Sequence, residues 1–100
     1  MSMSQMQSMN IYNRAIAFYG KDNQFNMASE EFAELIMTLN HFRRGRATIE
    51  DIASELVDCY IMLDQLAIII GVSDQAITDF YDEKMTRLYK RIDDEDKDDN

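Results

Sequence analysis

Two short acidic words, Glu31-x-x-Glu34 and Glu55-x-x-Asp58, lie within the stretch SEEFAELIMTLNHFRRGRATIEDIASELVD that runs from Ser29 to Asp58. On a helix a three-residue spacing puts both carboxylates of a word on one face, about 5 Å apart along the axis. Like charges that close repel, and two arrangements relieve them: an open helix edge where water screens the repulsion, or a cation held between them. Hard, oxygen-only donors suit Mg²⁺, with Mn²⁺ as a substitute, and no cluster of histidine or cysteine accompanies them to suggest zinc.

The elements that carry these words follow from periodicity. At about 100° per residue, Ala28, Phe32, Leu35, Leu39 and Phe42 form one apolar stripe, with Glu31 roughly 60° and Glu34 roughly 120° from its centre. Taking Ile52, Leu56, Cys59, Leu63, Leu66 and Ile70 as the stripe of the next helix gives Glu55 and Asp58 matching offsets. Glu30 lies about 170° from the first stripe and faces outward. The link Arg43-Arg44-Gly45-Arg46-Ala47-Thr48 is short, which makes the two helices antiparallel neighbours. At 1.5 Å per residue, Glu34 lies about 15 Å before the turn and Asp58 about 14 Å after it, so the two words are level.

The 100-residue chain has no proline and three glycines, which favours long uninterrupted helices in one all-α domain. Its formal charge of −9 argues against nucleic-acid binding, since a phosphate backbone is repelled unless a basic face meets it. A free nucleotide stays compatible, because bound metal inverts the local sign. The one cysteine, Cys59, lies on an apolar stripe and is read as a buried structural thiol. Met1 to Met9 lacks the basic start and apolar core of a secretory signal, and no run approaches the roughly 20 apolar residues of a membrane span. The expected location is the cytoplasm.

Residues 1–10 read as a flexible N-terminal arm, residues 11–92 as the helical domain and residues 93–100 as a disordered acidic tail. Asn10 is the expected cap of a first helix ending at Gly20, and the second runs from about Asn23 to Arg44. Thr48 with Asp51 forms a capping box for the third helix, which continues to Ile70 and ends at Gly71. Ser73 caps the fourth. The third helix is apolar around much of its circumference, which implies a partner subunit and most simply a homodimer. The fold class is thus a four-helix, bundle-like protomer assembled as a dimer or tetramer. Lys84 falls in the middle of the fourth helix's apolar face, Ile77, Tyr81, Leu88 and Ile92; it either meets a counter-charge there or snorkels to solvent.

The order Gln24, Glu30-Glu31-Phe32-Ala33-Glu34, Glu55-Leu56-Val57-Asp58 and Lys84 resembles the MazG-like branch of the all-α nucleoside triphosphate pyrophosphatases. That family's signature is E-E-x-x-E followed by E-x-x-D, and twenty residues separate Glu34 from Glu55 here. The likeness covers about Tyr19 to Ile92 and is nearest to the short, single-domain versions of phages and bacteria. It implies hydrolysis of (deoxy)nucleoside triphosphates to monophosphate and pyrophosphate for nucleotide-pool control, in a bacterial or phage-infected cytoplasm. By matching positions it implies Glu31, Glu34, Glu55 and Asp58 as Mg²⁺ ligands, Glu30 and Lys84 as catalytic residues, and Gln24, Lys84 and Arg87 as substrate contacts. The alternative is a nucleotide- and metal-binding regulatory dimer with weak catalysis, because Leu88 stands where family members often carry asparagine. Arg43, Arg44 and Arg46 either reach phosphates at the edge of the site or solvate the turn.

Overall fold

A computed structural model describes residues 3–98 and contains four helices with no strand among them, as the all-α reading expects. They are α1 (Gln5–Tyr19), α2 (Lys21–Arg43), α3 (Ile49–Ile70) and α4 (Asp74–Asp98). The chain divides into two units, one ending at Ile70 and holding α1 to α3, the other starting at Gly71 and holding α4.

Helix ends in the first unit are written by local chemistry. Ser4 Oγ accepts from the Gln7 backbone N–H at 3.1 Å, while the Ser4 N–H donates to Gln7 Oε1 at 2.8 Å. This reciprocal capping box starts α1 six residues before the expected Ile11, so residues 5–10 are helical rather than a loose arm. Met1 and Ser2 of that expected arm lie outside the described residues. Gly20, at φ +88°, ends α1 and begins α2 at Lys21 rather than at about Asn23. Thr48 and Asp51 make the box the sequence indicates, with Thr48 N–H donating to Asp51 Oδ2 at 2.9 Å and Asp51 N–H to Thr48 Oγ1 at 3.1 Å.

The turn after α2 is a Schellman closure. The Gly45 N–H donates to the Phe42 carbonyl at 3.0 Å and the Arg46 N–H to the His41 carbonyl at 2.8 Å, with Gly45 at φ +73°. The closure returns the chain immediately, so α2 and α3 pair as antiparallel neighbours. Gln24 meets Gln65, Glu31 meets Cys59 and Glu34 meets Glu55, each advance along α2 matched by a retreat along α3. α1 adds a tie to α3 through the Tyr12 hydroxyl, which donates to Asp64 Oδ2 at 3.0 Å. Burial, then Asp64, pushes the Tyr12 phenol pKa up, so it remains a donor.

The core between α2 and α3 is small: Ala28, Cys59 and Met62 are buried, with two glutamines among them. Gln24 and Gln65 are each 4% exposed, and Gln24 Nε2 donates to Gln65 Oε1 at 2.6 Å. This inner face differs from the expected stripe of α3. Leu56, Leu63 and Ile70 are exposed, while Glu55, Cys59, Met62, Gln65 and Leu66 turn toward the interior or its edge. The face of α2 that meets them carries Gln24, Ala28 and Glu31. The Gln24 amide donates to the Gln65 carbonyl and the Gln65 amide donates weakly to Met62 Sδ, and burying amides so bonded costs less than leaving either alone.

In the second unit Ser73 caps α4 as the sequence indicates, its Oγ accepting from the Ala76 N–H at 3.1 Å. α4 continues to Asp98 where a disordered tail is expected from residue 93; Asp93 and Lys97, one turn apart, form an ion pair of 3.2 Å. Asp99 and Asn100 of the expected tail lie outside the described residues. Ile77, Tyr81, Leu88 and Ile92 are exposed, and so is Lys84, because a single helix taken by itself has nothing to bury its own stripe.

The glutamine pair generates a stability prediction. Gln24→Leu leaves the Gln65 carbonyl buried without its donor and should cost about 1–3 kcal/mol in urea unfolding. Pairing it with Gln65→Leu should recover most of that loss, because no orphaned amide then remains.

Candidate metal centre

The antiparallel pairing of α2 and α3 brings the two acidic words together at mid-length. Oxygens of Glu31, Glu34 and Glu55 lie within 4.8 Å of one another. The burial follows the angular order: Glu31, nearer the stripe, is half-buried, Glu34 is exposed at the rim, and Glu30 faces solvent outside the group. Asp58 is half-buried beside them but stands outside this set of three.

With every carboxyl ionised, Glu31 Oε2 and Glu55 Oε2 are buried with no hydrogen-bond partner among the described residues. Two acceptor oxygens of like charge shut away from water are costly, and their surroundings answer by holding protons. Burial, followed by the charges of Glu34, Asp58 and Glu55, raises the Glu31 pKa above the ordinary glutamate value. A hydrogen bond shared with Asp58 when one of the two is protonated adds to that shift. Burial, then Glu34, Asp58 and Asp51, likewise raises the pKa of Glu55.

Cys59 lies beneath the group. Its thiol donates weakly to the Glu31 carbonyl at 3.5 Å, and burial followed by Glu31, Glu55 and Asp58 pushes its pKa up. It stays protonated and unreactive, the structural role its place on an apolar stripe suggests.

The other sequence-derived candidates occupy different surroundings. Gln24 is buried one helical segment away with its amide committed to Gln65, so it is not an open contact surface in this chain. Lys84 and Arg87 belong to α4, in the second unit. Lys84 is exposed on α4 taken by itself, and Arg87 pairs with Glu83 at 3.2 Å on the exposed helix surface. Gln65 escaped sequence reasoning, since a glutamine within LDQLAIII carries no local mark of its partner 41 residues away. His41 lines a polar trough with Thr38, Arg46, Asp51, Ser54 and Glu55, beside the acidic group. Gly45 was the available signal, because a left-handed glycine two residues beyond the last helical position fixes which side chains face each other across a Schellman turn.

Three carboxylates from two helices, two oxygens without partners and a fourth carboxylate adjoining are donors of the kind that could hold a hard cation. The pKa shifts also fix a pH dependence. A raised pKa means that the folded protein retains protons the unfolded chain has already released. Stability is therefore fully present below the ordinary glutamate pKa and is lost as pH rises through the raised values of Glu31 and Glu55. Metal-free protein should melt at a lower temperature at pH 7.5 than at pH 5, and Glu31→Gln should flatten that slope and raise the pH 7.5 melting temperature. Comparison of the chain with protein-family models, with curated protein sequences and with solved structures gave no significant match.

Proposed function

We propose that the chain is a Mg²⁺-dependent nucleotide pyrophosphohydrolase, converting (deoxy)nucleoside triphosphates to monophosphate and pyrophosphate. The observation that carries this reading is the convergence of Glu31, Glu34 and Glu55 within 4.8 Å, two of their oxygens being buried and unpartnered. The MazG-like order of the acidic words agrees with it.

Glu31, Glu34 and Glu55 would hold the cation. When bound, a divalent cation supplies charge opposite a phosphoryl oxygen and a more acidic water than bulk solvent provides. Held on two helices rather than on loops, the three carboxylates fix where a phosphate chain binds, and positioning is most of what phosphoryl chemistry asks of a protein. Asp58 adjoins Glu31 closely enough to share a proton with it, and as the carboxylate outside the three it is the group able to accept a proton during hydrolysis. Glu30 stands on the solvent side of the same helix, where it can order water at the mouth of the site without entering the ligand set.

The outer stripe of α3, with Leu63 52% exposed and Val57, Tyr60 and Ile70 beside or beyond it, supports self-association. A second copy would cover the apolar surface that this chain's own elements leave bare. The alternative reading is a metal- and nucleotide-binding regulatory dimer that turns over slowly, since Leu88 stands where the MazG-like pattern often has asparagine.

Two measurements separate these readings. Mg²⁺ at about 100 times its Kd should stabilise the wild-type fold by about 2.7 kcal/mol, and Glu55→Gln should lose most of that gain. In a panel of nucleoside triphosphates, wild-type protein with Mg²⁺ should release pyrophosphate and monophosphate, and Glu55→Gln should reduce the rate by about 100-fold or more. Stabilisation by Mg²⁺ and nucleotide without turnover would leave the regulatory dimer; release of orthophosphate and diphosphate would place the attack at a different phosphorus.

A further inference from the structure

A polar trough of about 280 Å³ opens beside the carboxylates, at the end where α2 turns into α3. Thr38, His41, Arg46 and Ser54 line it, with Glu55 shared between the trough and the acidic group. We propose that this trough holds the terminal pyrophosphate portion of a nucleoside triphosphate, with Arg46 and His41 as its donors. The proposal rests on the cation-dependent hydrolase reading above and names the part of the substrate that lies on this side of the metal centre.

Three observations carry it. The first is the turn itself. In a Schellman closure the residue after the left-handed glycine commonly makes an apolar contact with the residue three places inside the helix end. Here those places are Arg46 and His41, joined by the 2.8 Å bond from the Arg46 N–H to the His41 carbonyl. Two nitrogen-bearing side chains therefore stand where an oily contact is usual, on a backbone fixed by hydrogen bonds, and both line the trough.

The second observation is that Arg46 is unspent. Two carboxylates, Asp51 and Glu55, line the same trough, yet no ion pair forms with Arg46 among the described residues. Asp51 is committed to the helix cap, accepting from the Thr48 N–H, and that bond lowers its pKa. The guanidinium keeps its full set of donors for an oxyanion, a partner it can meet with two parallel bonds.

The third is size and sign. A volume of about 280 Å³ falls below the roughly 300–1,000 Å³ of pockets that enclose a whole drug-sized ligand, so it suits an anionic tail rather than a complete nucleotide. Glu55 and Asp51 both make the trough unfavourable for an anion; a cation on the acidic group would neutralise Glu55, and Arg46 stands against the charge of Asp51. Pyrophosphate should therefore bind only together with Mg²⁺.

Calorimetric titration of inorganic pyrophosphate into the full chain tests this, with and without saturating Mg²⁺, alongside Mg²⁺-induced thermal stabilisation. Arg46→Gln should weaken Mg²⁺-dependent pyrophosphate binding about ten- to a hundredfold, and Arg46→Lys should restore part of it. The thermal response of Arg46→Gln to Mg²⁺ alone should match wild type. Arg44→Gln removes the same charge from the same turn and should have a much smaller effect. Equal losses from Arg44→Gln and Arg46→Gln would reduce the effect to overall charge and overturn the assignment. So would wild-type affinity in Arg46→Gln, or no pyrophosphate binding by a wild type that Mg²⁺ does stabilise; in both cases the metal centre would stand. Absence of any Mg²⁺ response in wild type would overturn the metal reading and this proposal with it.

Discussion

Repulsion among carboxylates held close by helix packing is the constraint on which the site depends. α2 and α3 are joined by a turn too short to let them separate, and their pairing draws Glu31, Glu34 and Glu55 within 4.8 Å. Nothing on the protein side compensates: the nearby basic residues of the turn make no ion pair with these groups among the described residues, and two carboxylate oxygens are buried without partners. A fold selected only for stability would place neutral side chains here, because removing an uncompensated buried charge is among the simplest ways to gain stability. The raised proton affinity of Glu31 and Glu55 expresses this excess of negative potential.

The remaining first-unit architecture is economical. The interior contains a single alanine, a cysteine and a methionine together with two glutamines, so ordinary apolar burial contributes little within one copy. What defines the α2–α3 interface is polar and specific: one amide pair, one weak thiol bond and the acidic group itself. Such an interface orders the helices better than it stabilises them. The outer stripe of α3 leaves apolar surface bare in a single copy.

Much of this was legible in the sequence, for local reasons. Thr48 with Asp51, Ser73 and Gly71 mark helix ends within a few residues of themselves, and both acidic words show their spacing directly. Counting residues on either side of a short turn sets Glu34 level with Asp58 and so brings the two words to one height, but it does not show that Glu55, rather than Asp58, joins Glu31 and Glu34. Ser4-Gln5-Met6-Gln7 carries the same kind of cap signal, but a methionine-rich, polar setting masks it. The rotation of α3 was not legible, because a helix apolar around most of its circumference offers several stripes of nearly equal strength. Leu56 and Leu63 on one side of Cys59 compete with Met62 on the other, and Gln65 decides between them by way of a residue on another helix. The setting of Lys84 stays open in the sequence for a related reason: periodicity shows which residues share a face and leaves open whether that face is covered.

The Gln24–Gln65 bond has a consequence for how the site can change over time. Sliding α3 along α2 by one helical turn, about 5.4 Å, would part the two amides and strand both in an apolar interior. The pair thus acts as a ruler that sets the acidic residues opposite each other without contributing to their chemistry. Residues 31, 34 and 55 can then be exchanged one at a time while the helices keep their alignment. Descendants with other side chains at these positions would still share this scaffold, so inherited architecture and the acidic group can part company.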